Sequence, residues 1–271
     1  MKPILLAIDY SPASGNAADY AAQLAKAFNT SLVVLHTWTP PLMASEVGAP
    51  VLTVDYAGLQ RDAVNAEASR ISKEWNVSAS GIERINFAAS GIAEEFTQHE
   101  FSFVVMGMRK HSEVGRLLGS SATAKLHNAN YPVLIIPEDV SYHKPKTILL
   151  ATDLENTLDP KSVEVLKQIS DQLEIVLHIV KVNEEKRLWD VSERNAGLQL
   201  IKNFPGIKYE WHFPIGEEVQ ETILEEAKSE EADWVVVAPH QLAWYEEMFH
   251  KSVSRKLAFS IDRPLLILPA K

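Results

Sequence analysis

The 271-residue chain has no cysteine. That excludes disulfides, thiol catalysis and thiolate metal ligation, though it does not fix a compartment. Long apolar runs are missing as well. None approaches the roughly 18 residues of a membrane-spanning helix, and the opening MKPILLAIDY has neither the extended apolar stretch nor the small-residue cleavage site of a secretory leader. The expectation is a cytoplasmic protein without a membrane partner. Positive charge is scarce: 26 Lys and Arg stand against 36 Asp and Glu, with 10 basic and 14 acidic residues in 1–141 and 16 and 22 in the remainder. Such a surface lacks the basic stripe of a nucleic-acid binder, so no nucleic-acid partner is expected. What is present, 46% hydrophobic and 23% charged residues, is a globular composition long enough for two domains.

The chain then says the same thing twice. KPILLAIDYS from Lys2 returns as KPKTILLATDLE from Lys144, and SSATAKLHNANYPVLIIP at 120–137 returns as KSVSRKLAFSIDRPLLILP at 251–269. Between these anchors SLVVLHTW, SGIAEEF and FVVMGMRK find counterparts in EIVLHIVKV, IGEEVQETI and WVVVAPHQ, in the same order. The period far exceeds that of a solenoid repeat, so each copy can build its own core. The expected domains are 1–140 and 144–271, joined by the short, polar, proline-bracketed segment 137–145.

Within the first copy, Ile4–Ile8, Leu32–His36, Ile85–Ala89, Phe103–Met106 and Val133–Ile136 are apolar nearly throughout, as strands covered on both faces must be. Helical spacing falls between them, near Asn16–Phe28, Tyr56–Asn76, Ile92–Glu100 and Ser121–Asn130; in the second, Leu59, Ala63, Ala66, Arg70, Ile71 and Trp75 are expected to form one mostly apolar face. The second copy reads likewise, with strands near Thr147–Ala151, Ile175–Ile179, Tyr209–Phe213, Trp234–Val237 and Leu265–Leu268, and helices near Pro160–Gln172, Glu184–Lys202, Glu217–Ser229 and Ser252–Ser260. Strand–helix alternation predicts an α/β fold of two tandem, doubly wound domains, each a five-stranded parallel sheet flanked by helices.

Open α/β sheets bind ligands beyond the carboxyl ends of their strands, where strand order reverses. That edge carries Asp9, Thr37 and the run Gly107-Met108-Arg109-Lys110, and a helix opening near Ser120 and Ser121 offers free N–H groups to an anion. These residues make a nucleotide cleft.

At these residues the chain resembles a tandem universal stress protein, over essentially all of both copies. ATP-binding members of that family carry an Asp after strand 1, then, after strand 4, a glycine, a second glycine three positions on, and Gly-Ser/Thr ten positions beyond. The first copy keeps Asp9, Gly107, Ser121 and Thr123 in register, but Lys110 and Ser120 replace the second and third glycines. Lys110 either places its ammonium on a phosphate or fills the space a phosphate needs, and Arg109 and Arg116 stand nearby. The second copy keeps Asp153, Ser252 and Ser254, yet every motif glycine is gone, and Trp244, Tyr245, Met248 and Phe249 fill its loop. A packed, ligand-free cleft is the expectation there. The resemblance implies strand order 3-2-1-4-5 and tandem copies that mimic a homodimer through their last strands, with a dimer of tandem chains open. It also implies ATP or AMP at the first copy, with magnesium only alongside a triphosphate.

Other features carry less. None of the nine histidines sits in a ligand-like spacing, and His36 and His178 are read as equivalent strand-2 residues with a role in the fold. His240 and His250 flank the aromatic loop, the acidic run 225–233 reads as a solvated helix end, and the Pro-rich connection Thr39–Asp55 as a lid or a surface excursion. Ser121 lacks a nucleophile elbow and a His partner. The function expected is a non-enzymatic stress-response protein that binds a small ligand and signals through contacts. A ligand-free interaction module with both clefts filled, and a slow ATP hydrolase, stand as alternatives; the hydrolase would need a metal and a positioned water, which no pair of carboxylates at the phosphate end supports.

Overall fold

The computed structural model describes residues 1–40, 55–109, 130–154, 158–183, 185, 190–237 and 261–269. The helices expected near Ser121–Asn130 and Ser252–Ser260, and all but the ends of the Thr39–Asp55 connection, lie outside them.

The first half runs β1 (Ile4–Ile8), α1 (Pro12–Ala27), β2 (Leu32–Trp38), α2 (Tyr56–Trp75), β3 (Ala79–Ile85), α3 (Ala88–Gln98), β4 (Val104–Met108) and β5 (Val133–Pro137). The second runs β6 (Thr147–Ala151), α4 (Pro160–Leu173), β7 (Val176–Val180), α5 (Val191–Lys202), β8 (Lys208–His212), α6 (Val219–Ser229), β9 (Trp234–Val237) and β10 (Leu265–Ile267). Local chemistry sets several boundaries. Ser11 caps α1 by accepting from Ser14 N ahead of Pro12. Asp190 and Glu193 close a reciprocal capping box on α5. Asn76 at φ 53° and Glu174 at φ 57° turn the chain out of α2 and α4 in the left-handed region.

All ten strands join one sheet, in the order β3-β2-β1-β4-β5-β10-β9-β6-β7-β8. Every pairing is parallel except the central one, where β5 and β10 run antiparallel with Leu134 opposite Leu266. One face packs on α1, α2, α4 and α5, and its apolar layer runs through both halves. The other packs on α3 and α6. Central strands covered on both faces are apolar throughout, as Ile4, Leu5 and Leu6 at 0% exposure illustrate. Nine residues of α1 are buried, six of them alanine, and those small side chains let the helix lie close on the sheet.

Three expectations are corrected. Strand β3 covers Ala79–Ile85, because this edge strand buries none of its residues fully and ASGIERI carries no apolar run to betray it; Ala88, expected in the strand, begins α3. Helix α2 buries Val64, Ala68 and Ile71, while Leu59 is 59% exposed, so the buried stripe is rotated from the one expected. His36 and His178 are not equivalent. His36 pairs with Ile8 at the end of β1, whereas His178 pairs with Leu149, two residues before the end of β6. Lys181, following β7, stands where His36 stands in the first half.

The halves also meet through polar contacts. Asn16 Nδ2 donates to the carbonyls of Pro137 and Val140 at 3.0 and 2.9 Å, fixing the connecting segment to α1. Trp234 Nε1 donates to Tyr20 Oη at 2.8 Å in a wholly buried bond between β9 and α1, and Tyr142 packs edge-on to Tyr20. Burial pushes the Tyr20 phenol far above its ordinary range, so it stays neutral and able to accept. Tyr20→Phe would leave the indole N–H buried without a partner and is expected to cost about 1–3 kcal/mol, measured as a lowered urea midpoint at unchanged m-value. An unchanged midpoint would show that the bond contributes nothing net.

Candidate functional site

The order of strands reverses between β1 and β4, which are neighbours although the chain visits β2 and β3 between them. Asp9 follows β1 there and Arg109 follows β4. The Asp9 carboxylate accepts from Ser11 N at 2.9 Å, and Ser14 at the start of α1 holds its hydroxyl 3.4 Å from Asp9 N. Burial alone would raise the Asp9 pKa. The Ser11 hydroxyl and N–H, the Ser14 hydroxyl and the positive charge of Arg109 outweigh it and hold the carboxyl below its ordinary value. An ionised acceptor and a guanidinium thus face the same switch point.

Tyr10 adopts φ 60°, a region that non-glycine residues rarely enter, and the turn lets its half-exposed ring lie 4.6 Å from His36. His36 in turn contacts the Ile8 carbonyl through Nδ1 at 3.0 Å. The second half repeats the strained turn, with Leu154 at φ 63°, after Asp153. Conserving an unfavourable backbone in both copies shapes the exit of strand 1, and in the first copy it presents an aromatic face beside Asp9.

The two other described candidates read differently. Gly107 lies inside β4 rather than in a loop, and a Cβ there would meet the Ala13 carbonyl oxygen at 2.2 Å. Close approach of α1 is therefore sufficient reason for glycine at this position. Thr37 lies one residue beyond His36 on β2, and its methyl group packs where a Cβ on Gly91 of α3 would stand, 2.5 Å from Thr37 Cγ2. Lys110, Ser120, Ser121 and Thr123 lie outside the described residues, as do Ser252 and Ser254 and the aromatic loop with His240 and His250.

Beside Asp153 the described residues of the second copy include an internal ion pair. Lys181 is 8% exposed, donates from Nζ to the Asp153 carbonyl at 2.9 Å, and pairs with Glu193 Oε1 at 2.7 Å. Glu193 is the residue that closes the α5 capping box, so the ion pair ties the carboxyl end of the sheet to a helix start. The sequence concealed this pair, because Lys181 follows an apolar strand and Glu193 reads as an ordinary cap. Ser14 was likewise missed, although the Ser-Pro-x-Ser helix start was its signal.

The universal stress protein family model matches residues 1–137. A universal stress protein of Mycolicibacterium smegmatis is 25% identical over 295 aligned residues, covering 98% of this chain and 96% of its own. Universal stress protein A homolog 1 of Coxiella burnetii is 29% identical over 142 residues, half of this chain and 95% of its own. Among solved structures, a universal stress protein of Archaeoglobus fulgidus superposes with a TM-score of 0.72 at 19% identity, covering 98% of this chain and 96% of that one, a likeness of fold.

Gly107→Ala is expected to destabilise the protein by about 1–3 kcal/mol through overpacking against α1, read from the denaturation midpoint without any ligand. A midpoint equal to that of the unaltered protein would remove helix packing as the reason for this glycine.

Proposed function

The chain belongs to the universal stress protein family, and from that premise we propose that it is a cytoplasmic stress-response protein that binds an adenine nucleotide, ATP or AMP, in its first half and acts through binding rather than turnover. The single observation that carries this reading is that the Asp9 carboxylate, after β1, and the Arg109 guanidinium, after β4, stand near enough at the reversal of strand order for the charge of one to act on the other. The carboxylate, held ionised, suits the hydroxyl and amino donors of a nucleoside. The guanidinium suits a phosphate. Tyr10 adds an apolar face of the kind against which a base packs. Ser121 and Thr123 are the further residues that keep the family pattern in register, and Lys110 and Ser120, which stand where that pattern has glycine, would meet the phosphates through their side chains, with magnesium needed only for a triphosphate.

A specific observation favours a different role for the second half. The buried Lys181–Glu193 pair already satisfies the groups beside Asp153, so this half presents a filled cleft and serves through its surfaces. One chain would then combine a ligand-responsive half with a ligand-free interaction half.

The test is to denature freshly purified protein and quantify released adenine nucleotide by mass spectrometry, then to titrate ATP and AMP by calorimetry. About one nucleotide per chain is expected. Asp9→Asn keeps an acceptor for Ser11 N but removes the charge, and should weaken affinity by about 10–100-fold, the worth of a hydrogen bond to a charged group, while thermal stability stays nearly constant. No released nucleotide together with no binding heat would overturn the nucleotide reading. Undiminished affinity in the Asp9→Asn protein would remove Asp9 from the site.

A further inference from the structure

On the face of the second half that packs against α6, two histidines from neighbouring strands are aimed at each other. His178 of β7 and His212 of β8 bring Nδ1 and Nε2 to 2.9 Å, with their rings nearly parallel. Both side chains are largely buried, at 10% and 14% exposure. Carboxylates surround them. Glu226 Oε1 stands 2.8 Å from His212 Nδ1, and Glu230 Oε2 stands 3.4 Å from His178 Nδ1. Glu210, opposite His178 in the strand register, brings a carboxylate oxygen within 4.8 Å of both imidazoles.

We propose that His178, His212 and Glu210 bind a divalent cation of the zinc class, with Glu226 as the group that orients His212 and Glu230 or a water as the fourth ligand. Three features support this. First, the Glu226 carboxylate accepts the Nδ1–H of His212, which fixes the tautomer and leaves the Nε2 lone pair directed at His178; a carboxylate behind a histidine is the usual support of a zinc ligand. Second, the spacing fits. Ligands about 2.0–2.1 Å from a tetrahedral zinc lie about 3.3 Å from one another, and the His178–His212 and His178–Glu230 separations of 2.9 and 3.4 Å bracket that edge. Third, Glu226 and Glu230 sit in the last turn and at the C-cap of α6, where the helix dipole is itself negative, so the site gathers negative charge that a cation would offset. Imidazole with carboxylate and no thiolate suits zinc, cobalt or nickel better than magnesium or calcium.

The first half supplies an internal control. Glu95 occupies in α3 the position of Glu226 in α6, each the eighth residue of its helix, but its partner is Arg84 at 2.8 Å. A guanidinium cannot ligate a metal. The corresponding place in the first half is therefore not expected to bind one.

Full-length protein, dialysed against a chelator and returned to metal-free buffer, should bind one zinc ion per chain in calorimetry and native mass spectrometry, and should melt at a higher temperature with zinc present. Cobalt added alone should give the intense visible absorption of a four-coordinate site, a readout that needs no variant. His212→Gln and Glu210→Gln should abolish the cobalt spectrum, Glu226→Gln should weaken zinc binding by about 10–100-fold, and His36→Gln should leave both unchanged. Glu210→Gln alters an exposed strand residue, so it keeps the test valid if His212→Gln fails to fold. Absence of zinc binding by the unaltered chain, or binding that survives in both His212→Gln and Glu210→Gln, would overturn the proposal.

Discussion

Everything in this molecule hangs on one antiparallel seam in an otherwise parallel sheet. A parallel sheet of five strands ends in an edge strand with unpaired N–H and C=O groups, a hazard that proteins cover or pair. Here β5 and β10 solve the problem for each other, and they pair antiparallel because two copies facing across a local two-fold must meet head to tail. The seam itself is short, since β10 has only three residues, so its strength comes from what flanks it. The apolar layer beneath both halves is continuous, and the buried Tyr20–Trp234 bond crosses from one half to the other. Asp233, next to Trp234, accepts from Lys146 N and Thr147 N at 2.6 and 2.9 Å and so locks the start of β6 to the same place. Burial pushes its pKa up, but those N–H groups and His143 more than offset that and keep the carboxylate ionised.

Once the seam is fixed, the two strand-order reversals become independent sites on one rigid frame. Each copy keeps the strained turn after strand 1, at Tyr10 and at Leu154. The copies then diverge in how they treat the groups that the turn exposes. In the first, a partly exposed carboxylate and a guanidinium remain directed at the switch point. In the second, Lys181 reaches the Asp153 carbonyl and finds its counterion in Glu193, so the polar groups are satisfied internally. A buried ion pair of this kind is weak evidence of added stability, because desolvation offsets attraction, but removal of either partner leaves a buried charge and is costly.

The sequence disclosed the repeat, the α/β class and the residues at the first switch point because each leaves a local signature. Strands covered on both faces are apolar runs, and Asp9 and Gly107 stand at the ends of such runs. It failed where the signal is weak or long-range. β3 lies at the sheet edge with no fully buried residue, and its sequence resembles a loop. The pairing of His178 with Leu149 rather than with the counterpart of Ile8 depends on register, which similarity between SLVVLHTW and EIVLHIVKV does not reveal. Gly107 was legible as special, but not for the reason that the packing of Ala13 supplies.

The acidic stretch at the end of α6 shows why such a reading goes astray in only one copy. Taken alone, Glu225, Glu226, Glu230 and Glu231 describe a solvated helix terminus. In the fold, Glu226 and Glu230 lie one turn apart and so share a face, and that face looks down on the third strand of the half. In the first half the same geometry brings Glu95 to Arg84, a fixed charge that closes the contact permanently. In the second half His212, two register positions before the place of Arg84, meets the helix carboxylate instead of a fixed cation, and with His178 reaching it from the next strand the result is a group of lone pairs that can exchange protons for a metal. Duplication preserved the scaffold that holds a carboxylate over strand 3, and the chemistry of each half follows from which side chain meets it.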